Sequence, residues 1–121
     1  MMTRAKLNTG KFPRYYLRIV SKQWREEGEA VNGTPPEVNE KLTDNRQIRV
    51  TIDYPLENPV HRVFTKAGGF TIADFYYAVA DAYSEIYADP NSEIWGHGIA
   101  DLFLEGYGVN DDGSYWLAVG S

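Results

Sequence analysis

The sequence predicts an α+β fold: an antiparallel sheet of four to five strands with one main helix, at about 71–88, packed on one face. Three observations carry this. Residues 46–54 alternate strictly between apolar and polar, residues 71–88 carry an apolar stripe at helical spacing, and short β-rich runs on both sides are separated by turn-forming residues. Strands before and after a single helix, joined by short turns, favour hairpins over parallel crossovers.

Taken in order, residues 1–13 are polar and basic and read as a flexible arm, with residues 14–121 forming a single α+β domain. Over 14–24, Tyr15, Leu17 and Ile19 alternate with Arg18 and Lys22, and the β-branched and aromatic content favours a strand. Residues 25–45 form a long polar excursion containing Gly28, Gly33, Pro35 and Pro36. Inside it, Thr34, Pro35 and Glu37 have the order of a capping box, which predicts about two turns of helix ending near Leu42.

In the run 46–54, Ile48, Val50, Ile52 and Tyr54 point one way and Gln47, Arg49, Thr51 and Asp53 the other, as in a strand with one wet face. Pro55 stops it, PLENP turns the chain, and a second strand over 60–66 completes a hairpin. Gly68 and Gly69 then make a tight connection to the helix. Thr71 is placed to cap that helix and Asp74 to reach back to the cap, while Ile72, Phe75, Tyr76, Val79, Ala82, Tyr83 and Ile86 form its apolar face. Asp89 and Pro90 end it. Strands over 102–109 and 114–120 follow, joined by Asn110, Asp111, Asp112 and Gly113, a turn by composition.

Charge is distributed unevenly. The chain of 121 residues carries a net charge of −5, yet residues 1–25 hold seven basic residues and no acid. The remainder holds five basic residues against all 17 acidic ones, a balance of −12. A basic arm on an acidic body suits an anionic partner, or the arm resting on its own body. The body is too acidic for a dedicated nucleic-acid binder, so nucleic acid could be met only through residues 4–25. The absence of cysteine excludes disulfides, thiolate zinc sites and cysteine nucleophiles. No apolar run is long enough to span a membrane and no secretory leader is visible, so a cytoplasmic location is expected.

Chemistry-bearing residues concentrate at 93–101. His97 stands between Gly96 and Gly98, with Asp101 four residues on; if the stretch were helical the two would share a face, as an acid–base pair for a small hydrolase or lyase requires. No nucleophile accompanies them. His61 and His97 lack ligand spacing, so neither metal nor cofactor is expected. Asn110 to Asp112 lack the other ligands of a calcium loop. The glycines at 68 and 69 precede a helix without any phosphate-binding fingerprint.

The reading is therefore a non-enzymatic protein-interaction domain, such as an adaptor, inhibitor or immunity-type protein, that binds a protein partner or itself. Its candidate contacts are Trp95, Tyr77 and Tyr87, which fall off the apolar stripe or outside it, and Arg4, Lys6, Lys11 and Arg14 of the arm.

Overall fold

The computed structural model describes Tyr15–Tyr16 and residues 40–121. Their elements are β1 (Tyr15–Tyr16), β2 (Lys41–Thr43), β3 (Gln47–Ile52), β4 (Val60–Thr65), β5 (Phe70–Thr71), α1 (Ile72–Ala88), a 3₁₀ turn (Ile99–Asp101), β6 (Phe103–Val109) and β7 (Tyr115–Gly120). The α+β class is as expected. Four strands in the order β6-β7-β3-β4 form the main sheet, β1 pairs onto the outer side of β6, and β2 and β5 form a separate two-stranded ladder.

One pairing departs from the expected antiparallel sheet. β3 and β4 form the antiparallel hairpin, as do β6 and β7, but the two hairpins join through β3 and β7, which run parallel, Val50 beside Tyr115 and Thr51 beside Trp116. Side chains alternate in the same way in either orientation, so periodicity alone cannot tell the two apart.

The alternation in β3 is realised: Ile48, Val50 and Ile52 are buried, while Gln47 and Arg49 face solvent. The helix lies over that buried face. Thr71 accepts a hydrogen bond from the Asp74 amide (3.1 Å), and the Asp74 carboxylate accepts one from the Thr71 amide (2.9 Å), completing a capping box. Such a cap contributes about 1 kcal/mol. The stripe outweighs it, since Ile72, Phe75, Tyr76, Val79, Tyr83 and Ile86 are all buried, each worth about 1.5–3 kcal/mol. At the other end the Asp89 amide closes back on the carbonyls of Glu85 and Ile86. Across the sheet the stripe meets Tyr107, Tyr115, Leu104 and Leu117.

The helix expected to run from Thr34 to near Leu42 does not reach that far. Lys41–Thr43 is extended, pairing with Phe70 and Thr71, and the Ile72 amide donates to the Glu40 carbonyl (2.9 Å). At these three residues the chain instead forms a ladder that fastens the start of α1. The beginning of that expected helix, most of the 14–24 strand, and Arg4, Lys6, Lys11 and Arg14 lie outside the described residues.

On edge strand β4, Val60, Arg62 and Phe64 turn toward the helix side and His61, Val63 and Thr65 away from it. The Arg62 Nε is buried without a hydrogen-bond partner. A cation pointing inward on an outer strand discourages pairing with another chain. No helix among the described residues is long and apolar enough to cross a membrane.

Candidate functional site

Residues 93–101 do not form one helix. Gly96 takes a positive φ of 78°, and the His97 amide closes on the Trp95 carbonyl (3.0 Å). The 3₁₀ turn begins only at Ile99, with Gly98 as its cap. His97 therefore stands in a loop and Asp101 at the end of a short turn, so the shared helical face expected for them does not exist. Glycine at 96 permits the left-handed backbone that reverses the chain before His97.

The segment is nevertheless well anchored. Residues 93–95 run antiparallel to residues 55–57, just after β3: Leu56 bridges Ile94, the Glu57 amide donates to the Glu93 carbonyl (3.0 Å), and the Trp95 amide donates to the Pro55 carbonyl (3.0 Å). Leu56 is buried and Ile94 packs on the core. From α1, the Tyr87 hydroxyl donates to the His97 carbonyl (2.9 Å) and the Tyr83 hydroxyl to the Tyr54 carbonyl (2.6 Å). The end of the helix thus fixes both halves of the site through backbone oxygens.

Three rings meet there. Tyr54 and Trp95 pack edge to face, with centroids 5.5 Å apart and planes at 83°, and His97 lies 5.9 Å from Tyr54 and 6.4 Å from Trp95. Ser121, just beyond β7, links two of them: its Oγ shares a hydrogen bond with the Tyr54 hydroxyl (2.6 Å) and another with His97 Nε2 (3.3 Å). The imidazole accepts in this chain only in the tautomer that carries its proton on Nδ1. Trp95 remains 48% exposed despite its anchoring.

Comparison with protein-family models, with curated proteins and with solved structures gave no match.

Of the residues singled out in the sequence, the structure gathers Trp95, His97 and Tyr87. It leaves Asp101 exposed, close enough to Tyr87 to help hold that phenol in its protonated form, after burial and Tyr54. Tyr77 is half-buried and packs against the core. Tyr54 and Ser121 were missed; Tyr54 read as the last inward residue of a strand, and no spacing connects 54, 97 and 121. His61 is remote from this cluster in the register: it faces Thr51 on the opposite side of the sheet from α1, its Nδ1 3.1 Å from the Thr51 hydroxyl. Among the described residues no group of three or more histidines and acids gathers as a metal site.

Two hollows lined by described residues lie near these elements, and His97 lines neither of these two. One, floored by Leu56, Val60 and Ile86, opens beside Glu93. The other lies between Arg49, His61, Val63 and Asp112. There the Ser114 hydroxyl and amide hold the Asp112 carboxyl below its usual range, and Arg49 assists.

Tyr83 gives the platform a measurable pH signature. Burial, more than the nearby Asp53, pushes its phenol far above the usual tyrosine range. The unfolded chain ionises this group near pH ~10 and the folded chain does not. The unfolded state then binds fewer protons, so this contribution is complete below about pH 10 and is lost as pH rises further. The urea midpoint is expected to fall above pH ~10, and to fall less steeply in Tyr83→Phe. That variant should also cost about 1 kcal/mol near neutral pH, because the partly buried Tyr54 carbonyl loses its donor. Parallel alkaline slopes in both proteins would refute the assignment.

Proposed function

We propose that this chain is a protein-interaction domain, of the adaptor, inhibitor or immunity type, whose contact surface centres on Trp95. The observation that carries the proposal is an indole about half exposed yet held in place. Its backbone is tied to Pro55, its ring rests edge to face on Tyr54, and the loop around it is held by Tyr87. Tryptophan is enriched among the residues that dominate binding energy. A ring immobilised before binding also loses little freedom on contact. In this reading Tyr54, Tyr83 and Tyr87 build the platform, and Trp95 with its acidic surroundings presents it.

The test is affinity capture with the intact chain and with Trp95→Ala as baits. Partners, or self-association seen by light scattering, should be lost or weakened at least tenfold in the variant while its far-ultraviolet circular dichroism is unchanged. Equal capture by both baits would end the proposal.

A second reading rests on the Ser121–His97 contact. A hydroxyl bonded to an imidazole is the beginning of a hydrolytic pair, with His97 as base and Ser121 as nucleophile. It differs from the His97–Asp101 pair, which the loop keeps from sharing a helix. Turnover of p-nitrophenyl acetate that disappears in Ser121→Ala would favour this reading over the first.

A further inference from the structure

We infer that the Trp95 surface recognises an arginine side chain on a basic segment of the partner protein. This rests on the interaction reading above and specifies the chemistry of what binds.

The bridge between residues 55–57 and 93–95 sets which side chains face solvent beside Trp95. Leu56 and Ile94 face the core, so alternation along the two extended segments turns Glu57, Glu93 and Trp95 outward. Glu57 and Glu93 are joined amide to carbonyl and lie opposite each other, both exposed. Carboxylates in that relation repel. Neither makes an ion pair with any described residue, whereas the exposed acids Asp44 and Asp112 are met by Lys41 and Arg49. Two like charges held together beside an exposed indole create a place where one external cation relieves repulsion and gains a ring face.

Arginine fits this arrangement better than lysine. A guanidinium is planar and carries five donors, so one group can stack on an indole while its edge addresses two carboxylates. A lysine ammonium offers a point charge and cannot stack. The hollow beside Glu93, with its floor of Leu56, Val60 and Ile86, gives an aliphatic stem or a neighbouring apolar side chain somewhere to lie. The charge of the intact chain agrees in sign, since its net value of −5 favours a basic visitor at a distance.

The experiment uses the intact chain and three blocked peptides: acetyl-(Arg-Gly)₄-amide, the same peptide with lysine, and the same with citrulline, which keeps the shape of arginine without its charge. Binding is followed by the shift of the Trp95 indole N–H signal and by anisotropy of a labelled peptide at 150 mM salt. The arginine peptide should bind at least tenfold more tightly than the citrulline peptide and more tightly than the lysine peptide. Trp95→Ala and Glu57→Gln/Glu93→Gln should each weaken it at least tenfold. Asp44→Asn/Asp111→Asn, which removes two charges elsewhere, should change it less than twofold.

Equal affinity for arginine and citrulline peptides overturns the inference. So does equal weakening by the two double variants, which would reduce the effect to net charge. If partner capture depends on Trp95 but the arginine peptide does not compete with it, the cation inference fails alone. If capture is indifferent to Trp95, the reading beneath it fails as well.

Discussion

Phe75→Ala is expected to lower the unfolding free energy by about 3–5 kcal/mol, a large part of the stability of a domain this size. Phe75 has no exposed surface and stands where the helix meets the sheet. Its ring lies 5.1 Å from that of Tyr107 and 5.5 Å from that of Tyr115, and those two rings are 6.0 Å apart. The three form a closed aromatic cluster spanning α1, β6 and β7. Truncation removes both the transfer energy and the contacts lining the vacated space, and two tyrosines cannot collapse into it without dragging their hydroxyls inward. Phe75→Leu keeps much of the volume and should cost markedly less. Urea denaturation of the three proteins checks this. A loss below about 1 kcal/mol for the alanine variant would mean that the cluster is not the centre of the core.

Gly69→Ala is the second large expected effect, and its cause lies in the backbone. Gly69 has φ of 89°, where a side chain is strained by about 1–2 kcal/mol. A methyl group there would also press on the Thr43 carbonyl and come within 2.9 Å of the Asp44 Cα, which is backbone and cannot swing aside. Overpacking of this kind adds about 1–3 kcal/mol. The loss should be local in origin. Hydrogen exchange is expected to quicken first in β2 and β5 and at the Ile72 amide, which that ladder ties to Glu40. Gly68 also has a positive φ, but a methyl group there would meet nothing. Gly68→Ala should therefore cost only the conformational part, and a Gly69→Ala variant no less stable than Gly68→Ala would contradict the steric argument.

These two positions show what the sequence made readable. The helix was legible from both ends and along its face, because Thr71, Asp74 and Asp89 are local signals and Phe75 sits on a stripe whose period needs only the chain itself. The same holds for β3, where Ile48, Val50 and Ile52 announce a buried face. Gly69 was legible as a turn, but its closeness to Thr43 was not, since the local pattern before Leu42 predicts the end of a helix rather than a strand. The site was harder still. Trp95 and His97 stood out as residue types, yet their geometry depends on Pro55 and Leu56 pairing with residues nearly 40 positions away. Ser121 reaches Tyr54 and His97 only because β7 lies parallel to β3. No periodicity encodes which strands become neighbours. The helix that would put His97 and Asp101 on one face is replaced by a loop through Gly98 and a 3₁₀ turn that begins only at Ile99.

The parallel pairing of β3 with β7 also bears on how the molecule assembles. Each hairpin can close early, since its strands are near in sequence, and α1 can settle on the β3–β4 hairpin soon after. But the flank of β3 that β7 will occupy stays open until a strand more than 60 residues downstream arrives. Contacts of such long separation close slowly because the intervening chain must first give up its freedom. Until then a row of main-chain donors and acceptors beside Val50 is available to any extended segment. Until β7 docks, that flank of β3 is exposed to pairing with the wrong strand, and the seam that closes it is also the one that brings Ser121 to His97.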